Sequence, residues 1–231
     1  MSGFKMKSKA LAPGESTNYV NLERLTFLVD GVFAITITLL VLELRLPEEG
    51  ITRLVDGLLG MWPRLFIYFV AFFSLANHWA VHQRMFRHIT EADSVVLWLT
   101  LLGLLFITLI PATTALVGRF PHEKLSIACF SANSFLQAVT SWILWVYVVK
   151  KHKKIAAYSD PRLLKVTSQV WLVISTGWLL SIPLGYINVN AAYVTWVAWP
   201  NLVAIWGNYQ QRMLLPGKSQ EGRRNGKKKE K

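Results

Sequence analysis

The sequence has few charged residues and a single cysteine, and each shortage excludes a class of protein. Charged residues make up 16% of the 231 residues, against about a quarter in an average soluble domain. Cys129 is the one cysteine, so a framework of disulfides within the chain is excluded. Acidic residues are scarce as well, because 13 Asp and Glu stand against 25 Lys and Arg, a formal charge of +12.

Apolar and aromatic side chains are abundant by contrast. Hydrophobic residues account for 53% of the chain, with ten Trp and twelve Phe, and this content excludes a disordered protein. The basic residues lie between apolar blocks and not on one polar face, so a nucleic acid is not an expected partner. The composition predicts an all-α, polytopic membrane protein that is embedded in a lipid bilayer.

Six apolar stretches are long enough to cross a bilayer, which takes about 20 residues of helix. The predicted spans are 25–44, 62–82, 95–116, 126–149, 166–186 and 192–214. We expect an interruption of the fifth near Pro183 and Gly185, and Pro200 lies inside the sixth. The predicted organisation is an N-terminal segment (1–23), a transmembrane domain (24–215) and a basic, disordered tail (216–231).

The basic residues also predict the orientation. If the N-terminus is cytoplasmic, only five of the 25 Lys and Arg residues fall on the outer side: Arg45, Arg53, Arg64, Arg119 and Lys124. Cytoplasmic loops carry an excess of Lys and Arg, so both termini are predicted to be cytoplasmic. Residues 1–23 show no apolar core followed by a small-residue cleavage site, and we expect no signal peptide.

Asp30 is an ionisable residue inside the first predicted span, and such residues mark function by default. Arg24 stands six residues earlier, about 600° of helical rotation, so the two do not share a face. We therefore expect the partner of Asp30 near the cytoplasmic end of the second helix, in the segment NHWAVHQR (77–84), where Trp79 and His82 lie three residues apart. These groups either tie helices together by hydrogen bonds or, through His82, sense protons.

Further patterns in the first two helices leave their roles open. Ile35, Leu39 and Leu42 form an aliphatic stripe with Thr38 beside it, which is typical of a helix facing lipid or a protein core. Gly31, Ala34 and Thr38 form a small-residue stripe typical of close helix packing. His78 and His82 have the spacing of two metal ligands but lack a third, so no metal site is predicted.

Motifs of soluble enzymes and of ordinary potassium channels are missing from the sequence. It contains no Gly-rich phosphate loop, no GxSxG elbow and no paired catalytic carboxylates, so we do not expect an enzyme. It also contains no TVGYG-type carbonyl filter.

Three stretches resemble the transmembrane protein 175 family of lysosomal and bacterial potassium channels. RLTFLVDGVFAITITLLVLEL (24–44) resembles the first-helix signature RxxxFSD followed by VFAIAxTLLVLE. WAVHQRMF (79–86) resembles WxxHHRxF, and LLFITLIPATTALVG (104–118) resembles LFxSLxPfxTxLxG. The chain departs from the pattern at Leu28-Val29, in place of Phe-Ser, and at Gln83, in place of the second His.

This resemblance implies a potassium-permeable channel in a cell membrane of the bacterial inner-membrane type. Each subunit would be a six-helix single repeat, because no second copy of the signature occurs in 120–231, and four subunits would surround one pore. Potassium would be the permeant ion, with no cofactor. The first helix would line the pore, with a hydrophobic constriction at Ile35, further lining by Thr38, Leu39 and Leu42, and Glu43 at the outer mouth. Arg24, Asp30, Trp79 and His82 would form a supporting polar network.

Two alternatives stay open at this point. One is a proton-coupled secondary transporter in which Asp30 and His82 relay protons, since transporters use helices broken near the midplane and this chain has Pro183 and Pro200. The other is a membrane-embedded enzyme or cofactor binder that uses His78 and His82.

Overall fold

The computed structural model describes residues 20–44, 54–151 and 161–214, and nearly all of them are helical. The helices are α1 (Leu22–Leu39) with a 3-10 turn at Leu40–Glu43, α2 (Leu54–Gly60), α3 (Trp62–Phe86), α4 (Ser94–Thr108), α5 (Ile110–Arg119), α6 (Lys124–Lys150), α7 (Pro161–Ile187) and α8 (Val189–Leu214). The basic tail and all but the last residues of the predicted segment 1–23 lie outside the described residues.

Five helical segments are long and apolar enough to cross a membrane: Leu22–Glu43, Trp62–Phe86, Ser94–Arg119, Lys124–Lys150 and Leu164–Ile187. They correspond to the first five predicted spans, so the prediction of an all-helical protein with several membrane-crossing helices is confirmed. The sixth predicted stretch is also one long helix, α8. It is not among the five, and Asn, Gln and Thr residues interrupt its apolar sequence.

The predicted interruption at Pro183 and Gly185 is wrong. Helix α7 continues through Pro183 to Ile187, and α8 likewise continues through Pro200. Proline removes one backbone hydrogen bond, but a transmembrane helix tolerates this loss where neighbouring groups and local adjustments satisfy the freed carbonyl. The proline positions therefore do not create broken helices here.

A break occurs instead within the third span, between α4 and α5. Helix α4 ends at Thr108, and Pro111 stands in the first turn of α5, where its missing N–H costs least. Asn133 of α6 donates from Nδ2 to the Phe106 carbonyl across 3.0 Å. A side chain of another helix thus satisfies the backbone beside the break.

Helix α6 is the centre of the fold and packs on α4, α5 and α7. In its apolar window 56% of the residues are buried, against 28% in those of α1 and α3. Its buried face mixes apolar side chains with polar ones, and several of the polar side chains bond across helices. Ser131 Oγ accepts from Ser181 Oγ at 2.8 Å and from Trp196 Nε1 at 3.1 Å. Such bonds hold helices together where lipid provides no hydrophobic driving force.

Helices α7 and α8 pack unusually closely around Gly177. A Cβ atom added there would overlap the Trp199 indole, whose Nε1 donates to the Val173 carbonyl at 2.8 Å and so fixes the ring. Small residues permit this approach of two helix backbones.

We expect Gly177→Ala to destabilise the protein by about 1–3 kcal/mol, the usual cost of overpacking, although alanine is the better helix former. Thermal unfolding in detergent measures the effect. Gly103→Ala is the matched control, because its Cβ would meet only Thr140 Cγ2 at 3.7 Å. Equal melting temperatures for the two variants would contradict the packing described.

Candidate functional site

Helix α1 has one face packed against the protein and one face turned away from it. Leu25, Val29, Phe33 and Thr36 are buried, at spacings of three and four residues that form a continuous helical stripe. This stripe packs on α3 and α4. The opposite side of α1 is exposed along most of its length.

The four predicted lining residues all lie on this exposed face. Ile35 is 61% exposed, Leu39 42% and Leu42 57%, and Thr38 is exposed as well. The helix tightens to 3-10 geometry after Leu39. Side chains three residues apart eclipse one another in a 3-10 helix, so Leu42 continues the line of Leu39. The result is one line of aliphatic side chains.

Thr38 adds a hydroxyl to this line. Its Oγ1 donates to the Ile35 carbonyl at 2.8 Å, so the proton of the hydroxyl is already used. A hydroxyl oxygen keeps two acceptor lone pairs, and those of Thr38 remain available on the exposed face. The side chain can therefore offer an oxygen ligand to a cation.

Asp30 is anchored on α3 by two neutral donors. Trp79 Nε1 donates to Asp30 Oδ1 at 2.9 Å, and Gln83 Nε2 donates to the same oxygen at 2.8 Å. Trp79 and Gln83 are four residues apart, so they lie on one face of α3. The antiparallel arrangement of α1 and α3 brings both to the depth of Asp30.

The other two residues of the predicted network are placed differently. The Arg24 side chain is exposed, and its backbone N–H donates to Asn21 Oδ1, the N-cap of α1. His82 is buried and stacks on Phe86, with ring centroids 4.2 Å apart. In the part of the chain that the structure describes, neither Arg24 nor His82 shares a hydrogen bond with Asp30.

His78 belongs to a buried polar cluster with α6. The Gln137 amide contacts both ring nitrogens of His78, at 2.7 Å for Nδ1, and Ser141 Oγ lies 3.3 Å from Nε2. The His78 and His82 ring centroids are 6.5 Å apart. Among the described residues, no group of three His, Cys, Asp or Glu side chains could hold a metal ion.

The sequence prediction missed Gln83, Gln137 and Ser141. Gln83 lay within the predicted partner segment 77–84 but was not singled out there, although its spacing from Trp79 was a usable signal. Gln137 and Ser141 are four residues apart in a helix that also carries Ser134 three residues before Gln137. Polar residues at this spacing inside an apolar span indicate a polar face directed at the bundle interior.

We expect Gln83→Leu to lower the free energy of unfolding by about 1.5–3 kcal/mol, because it removes a part-buried hydrogen bond to the Asp30 carboxylate. Chemical unfolding in detergent measures this. In an Asp30→Leu background the Asp30 acceptor is already absent, so Gln83→Leu breaks no hydrogen bond and costs little. Equal effects of Gln83→Leu in the two backgrounds would rule out the bond.

Comparison with known proteins relates the chain to a family of ion channels. Residues 24–111 match the family model described as endosomal/lysosomal potassium channel TMEM175. A protein of Chamaesiphon minutus named as a potassium channel is 30% identical over 137 residues, which cover 57% of this chain and 68% of that protein. One of Streptomyces collinus, also named as a potassium channel, is 26% identical over 187 residues, covering 79% of this chain and 89% of its own length.

The fold agrees with a solved structure of the same family. The crystal structure of a lysosomal potassium-selective channel TMEM175 homolog from Chamaesiphon minutus superimposes with a TM-score of 0.70 at 24% identity, covering 81% of this chain and 98% of that one. The matched family is one of ion channels and not of enzymes, which confirms the expectation that the chain is not an enzyme. Sequence match, relatives and fold agree, and this membrane protein belongs to the TMEM175 family.

Proposed function

We propose that the protein is a homotetrameric, potassium-permeable channel whose pore is lined by the exposed face of α1 from each subunit. The observation that carries the proposal is the line of Ile35, Thr38, Leu39 and Leu42, directed away from its own subunit in a member of this family. Relatives named as potassium channels support potassium as the permeant ion. The chain lacks a TVGYG segment, so side chains replace the carbonyl filter.

Four copies of this aliphatic line would form a hydrophobic constriction. Such a constriction gates by dewetting, so conduction requires it to dilate around a partly dehydrated ion. Potassium loses its hydration shell more readily than sodium. An apolar constriction that strips water from the ion therefore favours potassium. The free lone pairs of Thr38 would recover part of the dehydration cost one turn from Ile35.

Small residues on the same face support close packing between subunits. Gly31 and Ala34 are exposed, and a Cβ added at Gly31 would meet nothing within 4 Å. Packing within the subunit therefore does not require glycine at this position. A neighbouring α1 can approach closely here, as small residues permit at helix interfaces.

The proposed topology has six membrane spans, α8 being the sixth, in a single repeat with both termini cytoplasmic. Basic residues support this orientation, since only five of the 25 Lys and Arg fall on the outer side. Glu43 ends the 3-10 turn at the far end of α1 from Arg24. Four copies would place four carboxylates at the outer mouth, where they raise the local cation concentration. The cellular location would be a bacterial inner membrane.

Flux through liposomes that contain the purified protein tests the proposal. We expect potassium to pass faster than sodium, without saturation and without a proton gradient. Ile35→Asn should hydrate the constriction and therefore raise the leak or reduce the preference for potassium. Leu105→Asn on α4 is the matched control, because Leu105 is similarly exposed, at 53%.

Two outcomes would contradict this assignment. Absence of any cation flux would exclude a channel. Unchanged flux in Ile35→Asn would exclude Ile35 as a pore-lining residue. Saturable, proton-coupled uptake would favour the transporter that uses Asp30 and His82. The transporter alternative also relied on breaks in the last two helices, and α7 and α8 are continuous.

The subunit contact is tested separately by Gly31→Leu. We expect this variant to keep the helix content of the subunit, because the site is open within it, and to lose the tetramer, because the added side chain separates the α1 helices. Circular dichroism and native mass spectrometry measure the two quantities. A tetramer that survives unchanged would place the contact elsewhere.

A further inference from the structure

A second feature of the subunit lies away from the α1 face, between α3 and α8. It is a cavity of about 550 Å³ that is walled by these two helices and floored by α6 and α7. One contact between the walls joins Phe66 and Tyr193, with ring centroids 5.8 Å apart. Pockets for small molecules have volumes of about 300–1,000 Å³, so the cavity has the size of a ligand site.

Aromatic rings dominate its surface. Trp171, Trp178 and Trp196 line the inner side, and Phe69 and Phe73 stand on the α3 wall. Phe73 is 65% exposed and Phe69 is 49% exposed, so this wall is open to its surroundings. Aromatic side chains offer flat apolar surfaces that pack well against another ring.

Four side chains that line the cavity have polar groups without a partner among the described residues, and one of these groups is the buried Nε1 of Trp171. Neither Asn77 nor Ser74 makes a side-chain hydrogen bond within the part of the chain that the structure describes. Asn201 donates from Nδ2 to the Val197 carbonyl of its own helix at 2.6 Å, which leaves its Oδ1 open. His78 and Gln137 also line the cavity, and the Gln137 Nε2 contacts the His78 ring.

Asn77 and Ser74 lie within a helix that is long and apolar enough to cross a membrane. Asn77 stands nine residues before the end of α3 at Phe86, about 14 Å along the helix axis. A polar group in the hydrocarbon region is costly unless it is hydrogen-bonded. An acyl chain would cover the rings but leave the amides unpaired, so the cavity favours an occupant with a polar head.

We propose that this cavity binds a neutral amphiphile from the membrane, with a ring as its body and a hydroxyl or amide as its head. The head both donates and accepts, as Asn77 and the Asn201 Oδ1 require, and the ring packs among the three tryptophans. The ligand is uncharged because no Lys, Arg, Asp or Glu is among the described residues that line the cavity. The site is separate from the proposed pore and does not depend on it.

Photolabelling of the full chain in lipid nanodiscs tests this site. The probe is a neutral alkylphenol that carries a diazirine, and mass spectrometry maps its adducts. We expect labelling concentrated on α3 between Phe66 and Val81 and on α8 between Trp196 and Ala204, and competition by excess unlabelled alkylphenol. Asn77→Leu combined with Asn201→Leu should lower labelling about tenfold, the equivalent of one to two hydrogen bonds.

Gln169→Leu is the matched control, because Gln169 is an exposed amide on α7 that does not line the cavity, and it should leave labelling unchanged. Three results would overturn the proposal. They are adducts spread evenly over exposed helix faces, labelling that the double variant does not reduce, and competition by phospholipid as strong as by alkylphenol. A disulfide between two copies of Asn77→Cys, made in a Cys129→Ser background, would assign the cavity to a subunit interface instead.

Discussion

The hydrogen bonds from α3 to Asp30 determine how α1 is rotated, and both faces of that helix depend on this rotation. A carboxylate in a low-dielectric interior is costly unless it is hydrogen-bonded. Trp79 and Gln83 bind the same carboxylate oxygen, so α1 cannot turn without losing both bonds. With Asp30 held there, Val29 and Phe33 point into the subunit and Ile35 and Leu39 point away from it. A half-turn of the helix would bury the line now exposed.

Polar contacts of the same kind organise the remainder of the subunit around α6. Asn133 satisfies the carbonyl of Phe106 beside the break in the third span, and Gln137 binds His78 of α3. Ser131 joins α7 and α8 through Ser181 and Trp196. Each of these bonds is specific in geometry, whereas lipid and core are equally apolar. Helix positions in this fold therefore follow from where the polar side chains lie.

The helices could be predicted from the sequence because crossing a bilayer requires a long apolar run, and such runs are visible in the order of the residues. The segment that pairs with Asp30 was also predictable, since Arg24 cannot share its face and the α3 residues repeat at helical spacing. The break was not predictable, because Pro111 and Pro183 look alike in a sequence. Asn133 satisfies the backbone beside the first, and the second lies in an unbroken helix. The His78–Gln137 contact joins residues 59 positions apart, and no local pattern encodes such a pairing.

The central claim is that the exposed face of α1 surrounds a shared conduit. A cryo-electron microscopy map of the full chain in lipid nanodiscs tests it most directly, because the map shows which helix stands nearest the symmetry axis. The account predicts α1 at that axis, with Ile35 and Leu39 facing it and Phe33 turned away. A map with α1 at the lipid-facing periphery and no central conduit would contradict the account.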